Sequence, residues 1–448
     1  MTDFKVNLIG WTGDPQSLSV AGALGCFEEK SSAQIREELQ RLSPDKRIKK
    51  EKAVLKNSFG RGHGAVGDQN YFIFSIENLP RLATLQLCLP EYLAHLQQSL
   101  RRAKASRGFH LSEGIKTSAL SYKAQETLSK SFELYEKMTQ AGVPGEDARF
   151  ILPLCTLTNI QTGGDARELS HLWTMSQGKG VPSVVRMIVD EILAQAIKVA
   201  PYLFEDFGFN YERLAWYPSA QLYASDNEML RQLIKHYGQD DNVVLIDSST
   251  GVIPMDKEAV NRAVVDRNEA ELANLKHIHF EFLTSMSIAA LHQAIRQRTW
   301  NHSIESIYNA AKDAIFSLKE RRIVPPSIKK SIFYDEYAAC HDDMIMLYHE
   351  LLVSGTLKSE AIGVIPHSLK IWTAVHVNGW NAIHSIGKRT CLTAQWEIRK
   401  IARKMAGAIK EEFPFLGKWA KPQCVVYGHC PEMGECEYYK NYQKKNNI

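Results

Sequence analysis

An imperfect internal duplication constrains this chain more than any other feature. Gln86 and Ser99 lie thirteen positions apart, as do Gln293 and Ser306, an offset of 207. Downstream, Pro153, Asp165, Glu168 and His171 answer to Pro366, Asn378, Asn381 and His384 at an offset of 213. The copies have kept different polar residues. The first carries Arg101, Arg149 and Arg167 where the second has Tyr308, Ile362 and Trp380. The second carries Arg296, Arg298 and Arg389 where the first has Leu89, Glu91 and Ser176. Such a repeat predicts two compact units, with any shared site drawing on both.

A chain of 448 residues, 44% apolar and 23% charged, has the balance of a soluble protein, and each half is long enough to bury its own core. A formal charge of +4 suits an anionic small substrate. Without a dense Lys/Arg tract interleaved with aromatics it does not point to nucleic acid. The basic stretch from Lys46 to Lys56 reads as a solvated face. No eighteen-residue apolar run marks a membrane span, and Met1 to Asp14 lacks the features of a secretion signal. Eight cysteines in so long a chain are no disulfide scaffold, so a cytoplasmic protein is expected.

Periodicity predicts helices over Ser31–Leu42, Leu82–Leu100, Gln125–Thr139 and Val184–Val199 in the first half, with a loop over Val54–His63 and a strand over Tyr71–Ile76. The Gly142–Val143–Pro144–Gly145 run should stop the third helix, and Arg149–Leu154 reads as a short apolar segment. Residues from Pro201 to about Asp241 connect the halves. In the second half, strands are expected at Val243–Ile246 and His277–Phe282, with a turn around Ser248–Gly251. Helices are expected at Asn261–Asn274, Ile288–Arg298, Glu305–Leu318, Tyr334–Leu352 and Ala394–Lys410. In the last of these Ile398, Ile401, Met405 and Ile409 line one face.

The polar pattern itself resembles a known family, the flavin-dependent thymidylate synthases. That family has a Gly-His element, a strand, a glutamine followed by Arg-His-Arg, and Ser-x-Arg-Tyr. Further on come Ala-Arg-x-x-Leu-Pro, Asn-x-Arg, an arginine and Ala-Gln-Trp-Glu-Ile-Arg. The arrangement occurs twice, over roughly residues 50–205 and 260–415. In the first copy Gly62–His63, Gln86, Ser99, Arg101 and Ala148–Arg149–Phe150–Ile151–Leu152–Pro153 match. Asp165–Ala166–Arg167 departs from Asn-x-Arg only at its first residue, while Leu89–Pro90–Glu91 replaces Arg-His-Arg and the glutamine–tryptophan signature is gone. In the second copy Gln293, Arg296, Arg298, Ser306, Pro366, Asn378 and Arg389 match, and Ala394–Gln395–Trp396–Glu397–Ile398–Arg399 reproduces the signature directly. The histidine between the paired arginines is absent from both copies, and Leu96 and Ser303 stand at the family's asparagine position.

The resemblance implies an α+β fold of two tandem flavin-dependent thymidylate synthase-like domains. They would span residues 1–210 and 246–418, with a connector at 211–245 and a cysteine-bearing extension at 419–448. It also implies active sites assembled from more than one domain. Ser99, Arg101 and Arg149 from one copy would then meet Gln293, Arg296 and Arg389 from the other around a pyrimidine nucleotide. Guanidinium groups suit a phosphate dianion, and a glutamine amide can both donate to and accept from a pyrimidine edge. Arg149, Arg296 and Arg389 are the expected catalytic residues. His63, Arg167, Arg298 and Asn378 are the expected holders of FAD. The implied reaction moves a methylene group from methylenetetrahydrofolate to C5 of deoxyuridylate, with NADPH renewing the reduced flavin. Ser99 would bind phosphate rather than act as a nucleophile. A homodimer would give a four-domain assembly. Altered pyrimidine C5 chemistry and a non-catalytic nucleotide-binding or structural role are the alternatives, and flavin absorbance of the purified protein separates catalyst from binder.

Cys424, Cys430 and Cys436, with His429 and with Cys391 as a fourth thiolate, make a compact group whose residue types suit zinc or an iron–sulfur site. The five-residue gaps match no common knuckle, so reduced thiols without metal are expected. His341, Asp342 and Asp343 read as helix surface, Trp380 and Trp396 as packing residues. The glycines around His63 are no dinucleotide fingerprint.

Overall fold

The computed structural model describes residues 4–205, 218–224, 227–238, 241–250, 256–430, 432 and 436–446. Each repeat builds a four-stranded antiparallel sheet. The first is ordered β1-β2-β4-β3 from β1 (Lys5–Trp11), β2 (Phe72–Pro80), β3 (Ala94–Gln97) and β4 (Leu157–Gly164). The second is ordered β5-β6-β8-β7 from β5 (Val243–Ser249), β6 (His279–Ser287), β7 (Asn301–Ile304) and β8 (Lys370–Asn378). The order is the same in both. Starting residues keep the sequence offsets, 207 for Phe72 and His279, 213 for Leu157 and Lys370. Even the bulge of the outer strand recurs, between Leu8 and Gly10 and between Leu245 and Asp247.

The compact units are cut differently from the repeats. One holds residues 1–225 with 324–367; the other holds 226–323 with 368–448. In the first unit Phe72, Phe74 and Ile76 alternate inward along β2. The apolar stripe of the helix Ser183–Val199, Val185, Ile188, Val189 and Ile192, is buried, and the helix packs on β1 and β2. The segment borrowed from the second repeat contributes the helix Tyr334–Val353, which packs on its counterpart Ser121–Gln140. Lys123 and Lys137 reach Glu350 (2.6 Å) and Glu336 (3.1 Å) along that contact. Equivalent turns also pair there: Leu154 N donates to Ile365 O (2.9 Å), His367 N donates to Leu152 O (3.0 Å), and Pro153 faces Pro366 across an antiparallel bridge. His367 Nδ1 lies 2.7 Å from Leu152 O, which leaves Nε2 to accept from Arg81 Nε at 3.2 Å. Burial, reinforced by Arg81, holds this imidazole neutral, far below its usual pKa.

In the second unit the helix Trp396–Glu412 covers β5 and β6 with Ile398, Ile401, Met405 and Ile409, all buried as the periodicity predicts. On the same sheet Leu230, Leu283, Trp372 and Ala374 form a cluster closed by Leu233, Ile234 and Ile246. Arg321 and Glu305 are buried together in a two-pronged ion pair, both contacts at 2.8 Å, and Glu305 also accepts from Trp372 N at 3.0 Å.

Several expected elements are corrected. The expected loop over Val54–His63 is helical to Asn57, the end of the helix Pro44–Asn57. The helix expected over Leu82–Leu100 runs only over Arg81–Leu87, since Pro90 follows and cannot continue it, and β3 comes next. Its counterpart, expected over Ile288–Arg298, likewise stops at Ala294 before β7. Asn261–Asn274 is two helices, Lys257–Val264 and Glu269–Asn274. They part at Arg267, whose φ is +53°, and Asn268 caps the second. The expected turn at Ser248 and Ser249 is the end of β5; Gly251 lies outside the described residues. The stretch read as a connector contains the helix Glu228–Tyr237.

Candidate functional site

The residues expected to meet the nucleotide fall into two groups, one in each compact unit. In the first, Glu146 gathers the positive charge. Its carboxylate accepts from Arg101 Nε at 2.8 Å and its backbone carbonyl accepts from Arg149 Nε at 3.2 Å. Arg101 N donates to Ser99 Oγ at 3.2 Å. Ser99 is exposed and Arg101 half-buried, whereas Arg149 is 6% exposed, on a single 3-10 turn, Arg149–Ile151. A buried guanidinium beside a half-exposed one makes a directional pair of anion donors once Glu146 is displaced. Nothing in the sequence motif singled out Glu146.

In the second unit the segment Arg296–Gln297–Arg298 is laced to the chain that follows β8. Thr299 Oγ1 donates to Asn381 Oδ1 (2.6 Å), Asn381 Nδ2 returns a bond to Thr299 O (3.0 Å), and Trp300 Nε1 donates to Ser385 Oγ (2.6 Å). Gln297, standing at the lost histidine, faces the Arg389 guanidinium, and with its amide turned so that the oxygen meets these donors it accepts from Nη2 at 2.5 Å and Nε at 3.0 Å. Arg296, Arg298 and Arg389 thus share one neighbourhood. Arg389 is brought there by a π-helical turn, Ala382–Ile386, a rare distortion that shifts the following residues around the axis. Gln293, on the last turn of the helix Ile288–Ala294, has its Nε2 buried without a hydrogen-bonding partner. So does Gln86, its equivalent in the first unit. A sequestered amide donor costs about 1–3 kcal/mol unless something accepts from it.

The family-like signature builds this neighbourhood. Gln395 caps the helix Trp396–Glu412 by accepting from Glu397 N (3.0 Å) and Ile398 N (3.1 Å). Glu397 accepts from Ser287 N (2.8 Å) and Ser287 Oγ (2.5 Å), fixing the start of the helix that carries Gln293. Arg399 Nη1 donates to Leu392 O (2.7 Å) and Ala394 O (3.1 Å), closing the turn after Arg389.

The residues expected to hold a flavin divide in the same way. His63 is exposed beside Gly62, whose φ of +94° only glycine takes readily, and the 3-10 turn Gly64–Gln69 follows. Asp68 of that turn pairs with Arg167 at 3.2 Å, and Asn70 accepts from Ala166 N at 3.0 Å. His63 and Arg167 therefore flank one turn, and an imidazole with a guanidinium suits a phosphate. Arg298 is exposed. Asn378 spends its side-chain oxygen on Asn381 N (3.0 Å), capping the short helix Gly379–Asn381, which leaves its amide hydrogens for a ligand. Asp165 does the same for Glu168 N at 2.8 Å, and burial pushes its carboxyl up to about 6. At the position equivalent to Arg167, Trp380 stacks on His384 (5.2 Å between centroids, 8° between planes). It lines a cavity of about 450 Å³ together with Arg267, Tyr427 and His429.

Comparison with known proteins places these groups in context. The family model described as thymidylate synthase complementing protein matches the chain twice, over residues 7–202 and 219–415. The flavin-dependent thymidylate synthase of Thermococcus onnurineus is 32% identical over 164 residues, 35% of this chain and 66% of that protein. That of Pyrococcus abyssi is 33% identical over 165 residues, 35% and 67%. That of Geobacter sulfurreducens is 28% identical over 208 residues, 46% and 87%. The chain spans about two thirds of the length of the archaeal relatives it matches. Among solved structures, the UMP/dUMP methylase PolB from Streptomyces cacaoi, bound with 5-Br dUMP, covers 46% of this chain and 96% of its own. It is 15% identical, with a TM-score of 0.40.

Proposed function

Since the chain belongs, through both of its repeats, to the thymidylate synthase complementing protein family, we propose that it methylates deoxyuridylate at C5 in a flavin-dependent reaction. Methylenetetrahydrofolate is the one-carbon donor and NADPH the reductant. The observation that supports this most is the division of the expected nucleotide contacts. Ser99, Arg101 and Arg149 gather around Glu146 in one unit, and Gln293, Arg296 and Arg389 share a neighbourhood in the other. Both groups act on one nucleotide, whether they belong to one chain or to two copies in a homodimer.

Each residue then has a chemical task. Arg101 leaves Glu146 for the phosphate dianion, where Ser99 Oγ and the guanidinium groups of Arg296 and Arg389 complete its ring of donors. The Gln293 Nε2 donor, idle in its buried position, meets a pyrimidine carbonyl. Arg149, buried and therefore in a low dielectric, stabilises negative charge as it develops on the ring, more strongly in the transition state than in the ground state. His63, Arg167, Arg298 and Asn378 would hold the flavin, which when bound supplies hydride chemistry that no side chain provides.

Tritium release from C5-labelled deoxyuridylate tests the reading. The flavin-loaded protein releases tritium when given NADPH and methylenetetrahydrofolate. Arg149→Ala and Arg389→Ala each slow release by about 100-fold or more. The double variant is little worse than either single one, because the two serve one site. Purified protein that carries no flavin after reconstitution and releases no tritium would overturn the assignment.

A further inference from the structure

Where the first copy has Arg167 the second has Trp380, and a charged position has become an aromatic one. Trp380 lies flat against His384, 5.2 Å between centroids and 8° between planes, which fixes the indole and occupies one of its faces. The cavity it lines holds about 450 Å³, inside the range of roughly 300–1,000 Å³ that small-molecule sites fill. Trp380, Ile383, Leu272 and Val426 give this cavity an apolar floor, each buried or half-buried. Arg267, Glu269, Tyr427 and His429 stand exposed at its mouth. Val426, Tyr427 and His429 lie beyond residue 415, so the wall they form is no part of the family match.

The polar groups at the mouth are placed without being used. Arg267 is held at φ +53° in the turn between the helices Lys257–Val264 and Glu269–Asn274, a conformation few side chains adopt. Its guanidinium sits over the Tyr427 ring, 5.8 Å from the centroid. His429 Nδ1 lies 3.3 Å from Tyr427 O, which ties those two rim residues together. Arg267 and Glu269 face the same cavity two positions apart, yet among the described residues neither has an ion-pair partner. A free guanidinium suits a phosphate. A free carboxylate accepts and cannot donate, so it selects a ligand with N–H groups on its edge. An indole floor suits a planar ring, and its two-ring face matches a purine better than a pyrimidine.

We propose that this cavity binds a purine nucleoside monophosphate whose base carries an amino group. The base stacks over Trp380, its amino edge meets Glu269, and its phosphate meets Arg267. The site stands apart from the residues assigned to deoxyuridylate and flavin and does not depend on the reaction proposed for them.

Calorimetric titration of the full chain tests this, first as purified and then with flavin and deoxyuridylate added. AMP or GMP should bind once per chain with the same affinity in both conditions, and the tighter of the two identifies the base. IMP, which lacks the amino group, and the parent nucleosides, which lack the phosphate, should each bind at least ten-fold more weakly. Arg267→Gly suits the left-handed backbone and should abolish the preference for nucleotide over nucleoside. Glu269→Gln should abolish the preference for AMP or GMP over IMP. Trp380→Leu should weaken every purine by ten-fold or more, with circular dichroism checking its fold. If Trp380→Leu misfolds, the two rim variants decide, since both side chains are exposed. Binding of neither AMP nor GMP at millimolar concentration overturns the proposal. So does unchanged selectivity in both rim variants, or binding that disappears once flavin and deoxyuridylate are present.

Discussion

Two pairs of equivalent residues show what the duplication left behind. Gln86 and Gln293 each bury an amide nitrogen without a partner, yet only Gln293 retains arginines three and five positions on. Gln293→Leu should weaken deoxyuridylate binding by about ten-fold, the effect of one lost hydrogen bond of about 1.4 kcal/mol. Gln86→Leu should leave binding unchanged; calorimetric titration of the two variants separates them, and equal losses would contradict the asymmetry. The second pair, Asp165 and Asn378, perform the same capping task with different charge. Burial, with the Asp68 carboxylate adding to it, raises Asp165 to about 6. Between the ordinary carboxylate range and pH 6 the folded chain therefore holds a proton that the unfolded chain has released. Stability falls as pH rises through that window, and the cost remains above it. Asp165→Asn keeps the cap and removes the charge. It should stabilise by about 1–2 kcal/mol at pH 8 and by nothing measurable at pH 4. A denaturant midpoint shift that is the same at both pH values would refute the burial argument.

At the scale of elements, the buried pair Arg321–Glu305 ties the loop after the helix Ile307–Phe316 to β8 through Trp372 N. Arg321→Ala leaves a buried carboxylate without its counter-charge and should cost about 3–5 kcal/mol in urea denaturation. A cost below about 1 kcal/mol would show that Glu305 simply takes up a proton. Long amphipathic helices were legible from spacing: Ser121–Gln140, Ser183–Val199 and Trp396–Glu412 all lie within a few residues of their expected limits. Their apolar stripes are local in sequence. Leu82–Leu100 and Ile288–Arg298 misled because helical spacing persists past the real ends, at Leu87 and Ala294. What stops the second of them is remote, since Thr299 and Trp300 are engaged by Asn381 and Ser385 more than eighty residues later. The edge strands β3 and β7 escaped notice for a related reason. Each is four residues long, and its ladder partner lies in β4 or β8.

At the scale of the whole molecule, the compact units exchange a segment relative to the repeats. Residues 324–367 belong with residues 1–225, packing Tyr334–Val353 on Ser121–Gln140 and pairing Ile365 with Leu154. A fragment of residues 1–225 alone should aggregate, because the packing face of Ser121–Gln140 loses its cover. Co-expression with residues 226–448 should restore soluble protein, measured by gel filtration; a monodisperse, cooperatively melting 1–225 fragment would rule this out. The sequence by itself determined that the chain is a doubled family member and which polar residues each copy retained, because identity and spacing are carried along the chain. Only the tertiary structure decided that Glu146 meets Arg101 and that Gln297 faces Arg389. Those are contacts between segments far apart in number, set by which buried faces must cover one another and which polar groups must then find partners.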